Sequence, residues 1–270
     1  MMVESVGRRA RFYKWLAGGW LLVFLLVFLL GSLPAWAAMI STEKEIEIGR
    51  SSSQKIEARY GLYRDAEANR RIQALGRLLV KNTSRGLTYH FKILNQDIVN
   101  AFAFPGGYIY LTKGIYKAMK TRELAFVLGH EITHVEKRHS VKEMERALMT
   151  QLGGGILVGL LGGDHSQRRK LSTLVGMTDF VMGNRYSQSQ EKEADEGGMI
   201  LMTRAGFDPQ YAVEALQVLK QNDKGQEDSQ FVNSLLSSHP LTSDRIEAAQ
   251  GRVEGLRQEW GVAPGSAPKV

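Results

Sequence analysis

The 270 residues contain no cysteine. That excludes structural disulfides, thiolate metal sites, a cysteine nucleophile and a lipidated N-terminal cysteine. Any metal must therefore be held by histidine and carboxylate. Histidine is itself scarce, with six in the chain. Clusters of basic and aromatic residues are missing, so nucleic acid is not an expected partner. No internal repeat is visible. A second long apolar run is also missing, which counts against a membrane-embedded enzyme.

The one strong apolar block is "LLVFLLVFLL", Leu21 to Leu30. Arg8, Arg9, Arg11 and Lys14 precede it, and "PAWAA" follows with an Ala-x-Ala site at Ala35, Trp36 and Ala37. Basic start, apolar core and small-residue exit predict a secretory signal peptide over 1–37. The alternative is an uncleaved anchor, since Trp15 to Leu33 approaches the length of a membrane span. Either way the remainder is expected to be exported from the cytoplasm. Loss of 1–37 removes four bases and one acid, so the formal charge falls from +7 to +4. Such a mild positive charge favours an anionic membrane surface nearby. The rest divides into one domain over 38–258 and a loose C-terminal tail over 259–270.

Along that domain, Thr42 and Glu45 have capping-box spacing and predict a helix start. A second helix is expected over 66–81, with Ile72, Leu75, Leu78 and Leu79 as its apolar stripe. "LTYHFKIL" and "IVNAFAFPGGYIYLT" read as two or three strands, the last pair a hairpin about Pro-Gly-Gly. His90 is taken as a polar strand residue. "LGGGILVGLLGG", Leu152 to Gly163, is uncharged and glycine-rich. It reads as a buried or flexible connector, or else as a mobile lid or a membrane-touching loop. His165 beyond it is read as a solvated loop residue. Ser187 and Gln190 mark another helix start, and "AGFDP" separates two helices about Gly206 and Pro209.

"LGHEITHVEKRH", Leu128 to His139, holds half of the histidines. His130, Glu131 and His134 form HExxH. On a helix four residues turn about 400°, so the two imidazoles share one face. That geometry can hold two tetrahedral positions of Zn²⁺. Glu131 is offset by about 100° and is free to face a water. Leu124, Phe126, Val127, Leu128, Ile132 and Val135 surround the motif, so the helix should be buried. Two histidines and a glutamate are costly there unless a metal compensates them. The alternative is an exposed charged helix. A third ligand is needed, and "SQEKEADEGG" supplies candidates. Glu191 and Asp195 lie on one helical face, one to ligate and one to accept a ligand imidazole N–H. Spacing does not say which does which, and both acids could simply be helix N-terminal charge. His139 is rotated about 140° from His134 on a continuous helix and is read as structural.

"GHEITHVEKRH", "EKEAD", "AGFDP" and "SHPLTSDRI", in that order, resemble the HtpX and CAAX prenyl-protease family of zinc metallopeptidases (gluzincins). The soluble, exported BepA-like and LoiP-like branch is the nearest in pattern. "NAFAFPGGYIYLTKGI" is similar to the strand region before the motif in that family. The resemblance covers about 43–256. It implies Glu191 as the third metal ligand and Asp195 as the residue that orients a ligand histidine. It implies that His239 can reach the metal and that Arg245 lies near the substrate cleft. The family's Ser-Arg before the ligand glutamate is Ser187–Gln188 here, so one orienting guanidinium is expected to be missing.

The expected fold is α+β, mainly helical: a zincin-like domain with a small β-sheet beside the HExxH helix. The expected cofactor is one Zn²⁺ per chain on His130, His134 and Glu191. Glu131 and His239 are the expected catalytic groups. Glu131 is the base, and His239 either stabilises the oxyanion or occupies the water position and keeps the enzyme latent. An extended substrate is expected along an edge strand at Gly107, Tyr108, Ile109 and Tyr110, by β-augmentation. The resemblance implies a metalloendopeptidase for unfolded or misassembled cell-envelope proteins, acting near outer-membrane assembly machinery. The alternative is a largely latent chaperone-like or scaffold protein.

Overall fold

A computed structural model describes residues 40–160, 186–223, 239 and 243–270, all within one compact unit, Ile40–Val270. The predicted signal segment, the side chains of the glycine-rich stretch and His165 lie outside the described residues. The architecture is α+β and mainly helical. Eight α-helices surround a three-stranded sheet among the described residues: α1 (Thr42–Tyr60), α2 (Ala66–Val80), β1 (His90–Leu94), β2 (Ala101–Phe104), β3 (Tyr108–Thr112), α3 (Lys113–Ala118), α4 (Thr121–Glu136), α5 (His139–Leu160), α6 (Gln188–Arg204), α7 (Gln210–Asp223) and α8 (Ser243–Trp260). No helix among the described residues is long and apolar enough to cross a membrane.

The helix starts follow their caps. Ser41, rather than Thr42, caps α1 by accepting from the Lys44 N–H. Glu45 is thereby released from capping. It is buried and takes a bidentate pair from Arg85 at 2.7 and 2.9 Å. For α6 the predicted box forms in both directions: the Gln190 N–H donates to Ser187 Oγ, and the Ser187 N–H donates to Gln190 Oε1. This fixes where Glu191 enters the first turn. The apolar stripe of α2 is buried at Ile72, Leu75 and Leu79, against β1 and α4.

The sheet order corrects one expectation. β2 and β3 form the predicted antiparallel hairpin, but β1 pairs parallel with β3, giving the order β1-β3-β2. β3 is therefore central, and all five of its residues are buried. Tyr108, Ile109 and Tyr110 have both backbone edges paired, and Gly107 is buried in the preceding turn. None of the four can accept a substrate strand. The edge strand beside α4 is β2. Sequence periodicity reports which residues are strands; only the crossover decides which strand is left at the edge.

α4 is enclosed. The sheet and α2 lie on one side and α6 on another, and every residue from Glu123 to Val135 is buried. Its approach to α6 is close because both helices are bare where they cross. A Cβ on Gly129 would meet the Gly198 carbonyl oxygen at 2.9 Å, and one on Gly198 would meet the His130 backbone nitrogen at 2.8 Å. Both contacts are with backbone, which cannot rotate away. Gly198→Val is expected to push α6 off α4 and cost about 1–3 kcal/mol as overpacking. Thermal unfolding checks the stability.

The C-terminal residues, for which composition predicts a loose tail, are tied to the α6–α7 turn. The Gly265 N–H donates to Asp208 Oδ2 at 2.6 Å, the Asp208 N–H to the Ser266 carbonyl at 2.9 Å, and Tyr211 Oη to the Gly265 carbonyl at 2.9 Å. Arg257 of α8 closes on the same Asp208 carboxylate. These long-range polar partners cannot be seen in tail composition.

Candidate metal centre

Two helices and one loop residue converge here. α4 supplies His130 and His134 one turn apart, and α6 supplies Glu191 from its first turn. His239 comes from the segment before α8. One ligand atom from each of these four lies within 4.8 Å of all the others. The Nε2 atoms of His130 and His134 are 3.0 Å apart. Glu191 Oε2 is 3.6 Å from His130 Nε2, and Glu191 Oε1 is 3.5 Å from His134 Nε2. His239 Nδ1 lies 3.2 Å from His130 Nε2 and 2.9 Å from Glu191 Oε1. His130, His134 and Glu191 are buried.

The far side of each motif imidazole is also occupied. His130 Nδ1 is 3.0 Å from Asp195 Oδ1, and an ionised carboxylate can only accept, so Nδ1 carries the proton. Its Nε2 is then bare and faces the cluster. His134 Nδ1 is 2.8 Å from His139 Nδ1. The ring of Tyr186 stacks on His134 with centroids 3.9 Å apart, and its hydroxyl reaches Ser140 Oγ at 2.7 Å.

Arg245 departs from expectation. It does not line an open cleft. It is buried, and its Nε and Nη2 fork onto Asp195 at 2.7 Å each, while Nη1 lies 2.7 Å from Glu191 Oε2. The Glu191 contact is an ion pair rather than a well-aligned hydrogen bond, for Oε2 has no partner of hydrogen-bonding geometry among the described residues.

Burial pushes the Glu131 carboxyl above the ordinary glutamate range, against the opposing charges of His239 and His130. Burial would raise Glu191 too, but the opposing charges of His239 and His130 and the hydrogen bond with His239 hold it far below that range. Burial lowers His134. It works against protonated His239 as well, yet the carboxylates of Glu191 and Glu131 raise that residue overall. Asp195 stays low because Arg245 and His130 outweigh its burial.

These observations fit a metal. Three imidazole nitrogens and a carboxylate are donors suited to zinc. The facing Nε2 atoms would place two lone pairs against each other at 3.0 Å, an arrangement that a cation between them relieves. Glu131 is buried beside the cluster, outside the donor set, and its Oε2 has no hydrogen-bond partner among the described residues. Sequence reasoning brings four of these residues to one place, but it misses Tyr186 and the bracing role of Arg245. Nothing in the residue types around Tyr186 marks it. Arg245 could be found only through its matching charge to the Glu191–Asp195 pair.

Comparisons with known proteins place the chain among peptidases. Residues 66–253 match the family model described as "Peptidase family M48". The beta-barrel assembly-enhancing protease of Yersinia pestis is 32% identical over 231 residues, covering 82% of this chain and 46% of the relative. Metalloprotease LoiP of Escherichia coli (strain K12) is 28% identical over 196 residues, covering 70% of this chain and 72% of the relative. Metalloprotease YcaL of the same strain is 26% identical over 190 residues, covering 70% and 72%. The chain spans about half the length of the beta-barrel assembly-enhancing proteases it matches.

Proposed function

The chain belongs to peptidase family M48, and from that premise we propose that it is a zinc-dependent metalloendopeptidase acting on unfolded or misassembled cell-envelope proteins. The observation that carries this reading is the four-residue donor set with an unpartnered Glu131 oxygen beside it. His130, His134 and Glu191 would hold one Zn²⁺. A divalent ion held there supplies Lewis acidity, polarising a carbonyl and acidifying water.

The protein's own groups do the rest. Glu131 takes a proton from water and returns it to the leaving amine, and a carboxyl raised by burial suits both halves of that cycle. Asp195 holds the proton of His130 on Nδ1, and Arg245 braces Asp195 and Glu191 together. Tyr186 covers one face of His134 and keeps water from it. Substrate backbone would add to the edge at β2 (Ala101–Phe104), which lies beside α4. Asn100, at the head of that strand, has a buried Nδ2 without a hydrogen-bond partner among the described residues. Recognition through backbone selects extended, unfolded chain rather than a strict sequence. Export to the periplasm and work beside outer-membrane assembly machinery are part of this reading, supported by the predicted signal segment and by the names of the relatives.

Zinc content, together with hydrolysis of unfolded casein by wild type and Glu131→Gln, tests the proposal. A second reading, a largely latent chaperone-like or scaffold protein, is favoured by His239, whose Nδ1 completes the donor set. If His239 closes the site nine-tenths of the time, His239→Ala should raise hydrolysis about tenfold. A fall in hydrolysis would instead assign His239 to oxyanion stabilisation, and an unchanged rate would remove both roles.

A further inference from the structure

The imidazole of His139 is fully buried, yet its residue opens a helix whose neighbours are charged. The chain breaks between α4 and α5 at Arg138, which adopts a left-handed φ of 56°. On one continuous helix His139 would point away from His134. The break turns it back, so that His139 Nδ1 lies 2.8 Å from His134 Nδ1. On its other side His139 Nε2 lies 3.0 Å from Glu193 Oε2, and Glu193 Oε1 is paired with Lys137 Nζ at 2.7 Å.

This row of contacts has one consistent direction. The Glu193 carboxylate can only accept, so His139 carries its proton on Nε2. A neutral imidazole then has a bare Nδ1, which must accept from Nδ1–H of His134. His134 Nε2 is left bare, facing the donor set. We propose that His139 and Glu193 are positioning residues for the metal: they fix the tautomer and ring orientation of His134, as Asp195 does for His130. The two motif histidines thus have separate supports, one braced internally by Arg245 and one reaching the surface at the half-exposed Lys137–Glu193 pair. The inference rests on the proposed metal centre and adds the means by which its second imidazole is aimed.

Two measurements on the full domain test it. In the metal-free ¹⁵N-labelled protein, long-range proton–nitrogen spectra should show His139 protonated on Nε2 and His134 on Nδ1. His139 protonated on Nδ1 would overturn the proposal. Zinc affinity, read by competition with a chromophoric chelator, should fall about 10–100-fold in His139→Leu. His139→Asn, with an amide oxygen near the old Nδ1 position, should recover most of that loss. His139→Gln, whose amide sits nearer the old Nε2 position, should not. A purely structural role would not separate the two amides. Should His139→Leu fail to fold, Glu193→Leu carries the test, because that side chain is 42% exposed. Wild-type affinity in whichever of these folds overturns the positioning role alone. Equal zinc uptake by wild type and His134→Ala would instead sink the metal centre itself.

Discussion

Glu131→Gln is expected to reduce peptide hydrolysis by about 10²–10⁴-fold while zinc content stays at the wild-type level. The side chain is 3% exposed and stands beside, not within, the set of four ligand atoms. Glutamine keeps its shape and volume but cannot take a proton at the operating pH. On the transition-state scale that loss is roughly 3–5 kcal/mol. The measurement is casein or self-cleavage by purified wild type and variant, with metal content determined on the same samples. Equal cleavage by both proteins would falsify the peptidase assignment. A wild type that holds zinc but cleaves no unfolded protein would favour the reading as a chaperone-like or scaffold protein.

Arg245→Leu is expected to give the largest loss of stability. The guanidinium is 6% exposed and compensates two buried carboxylates, Asp195 and Glu191, at 2.7 Å. Removing one partner of a buried pair leaves uncompensated charge and costs about 3–5 kcal/mol. For a domain of this size that is on the order of 10 °C in Tm. The effect should be greatest in the metal-free protein, because bound zinc would offset part of the exposed charge on Glu191. Thermal unfolding with and without zinc measures both quantities. A substrate-contacting arginine, which the sequence resemblance implies for this position, would behave differently: Tm would hold and KM would rise.

How far each residue was legible depends on how local its determinants are. HExxH is legible because helix geometry sets two imidazoles on one face within five residues, and the apolar residues around it predict the burial that α4 displays. The Ser187–Gln190 box is legible because a cap involves only its own first turn. The Glu191–Asp195 pair is legible as a pair, but its division of labour is not. That division depends on which oxygen faces His130 Nδ1 and which faces the Nε2 atoms, and on Arg245 arriving from α8.

Other assignments failed for want of long-range information. β3 has the composition of a good strand, and composition cannot tell a central strand from an edge. The parallel addition of β1 puts Tyr108, Ile109 and Tyr110 in the middle and leaves β2 at the margin. His139, outside the set of four ligand atoms as expected, would be carried away from His134 by a continuous helix. A single left-handed residue, Arg138, reverses that angle.

The sequence by itself determined the helical and strand elements, the buried motif helix, the chemistry of its donors and the family to which the chain belongs. The elements and donors follow from short-range periodicity, capping and residue type, which act within a few turns of chain, and the family follows from the resemblance of the ordered motifs. Only the tertiary structure decided which strand lies at the edge, which arginine braces the carboxylates and which side chains lie against each imidazole. The physical reason is that α4 and α6 touch where Gly129 and Gly198 have no side chains. That close approach, between segments far apart in sequence, brings Glu191, Asp195 and Glu193 of one helix against the histidines of the other.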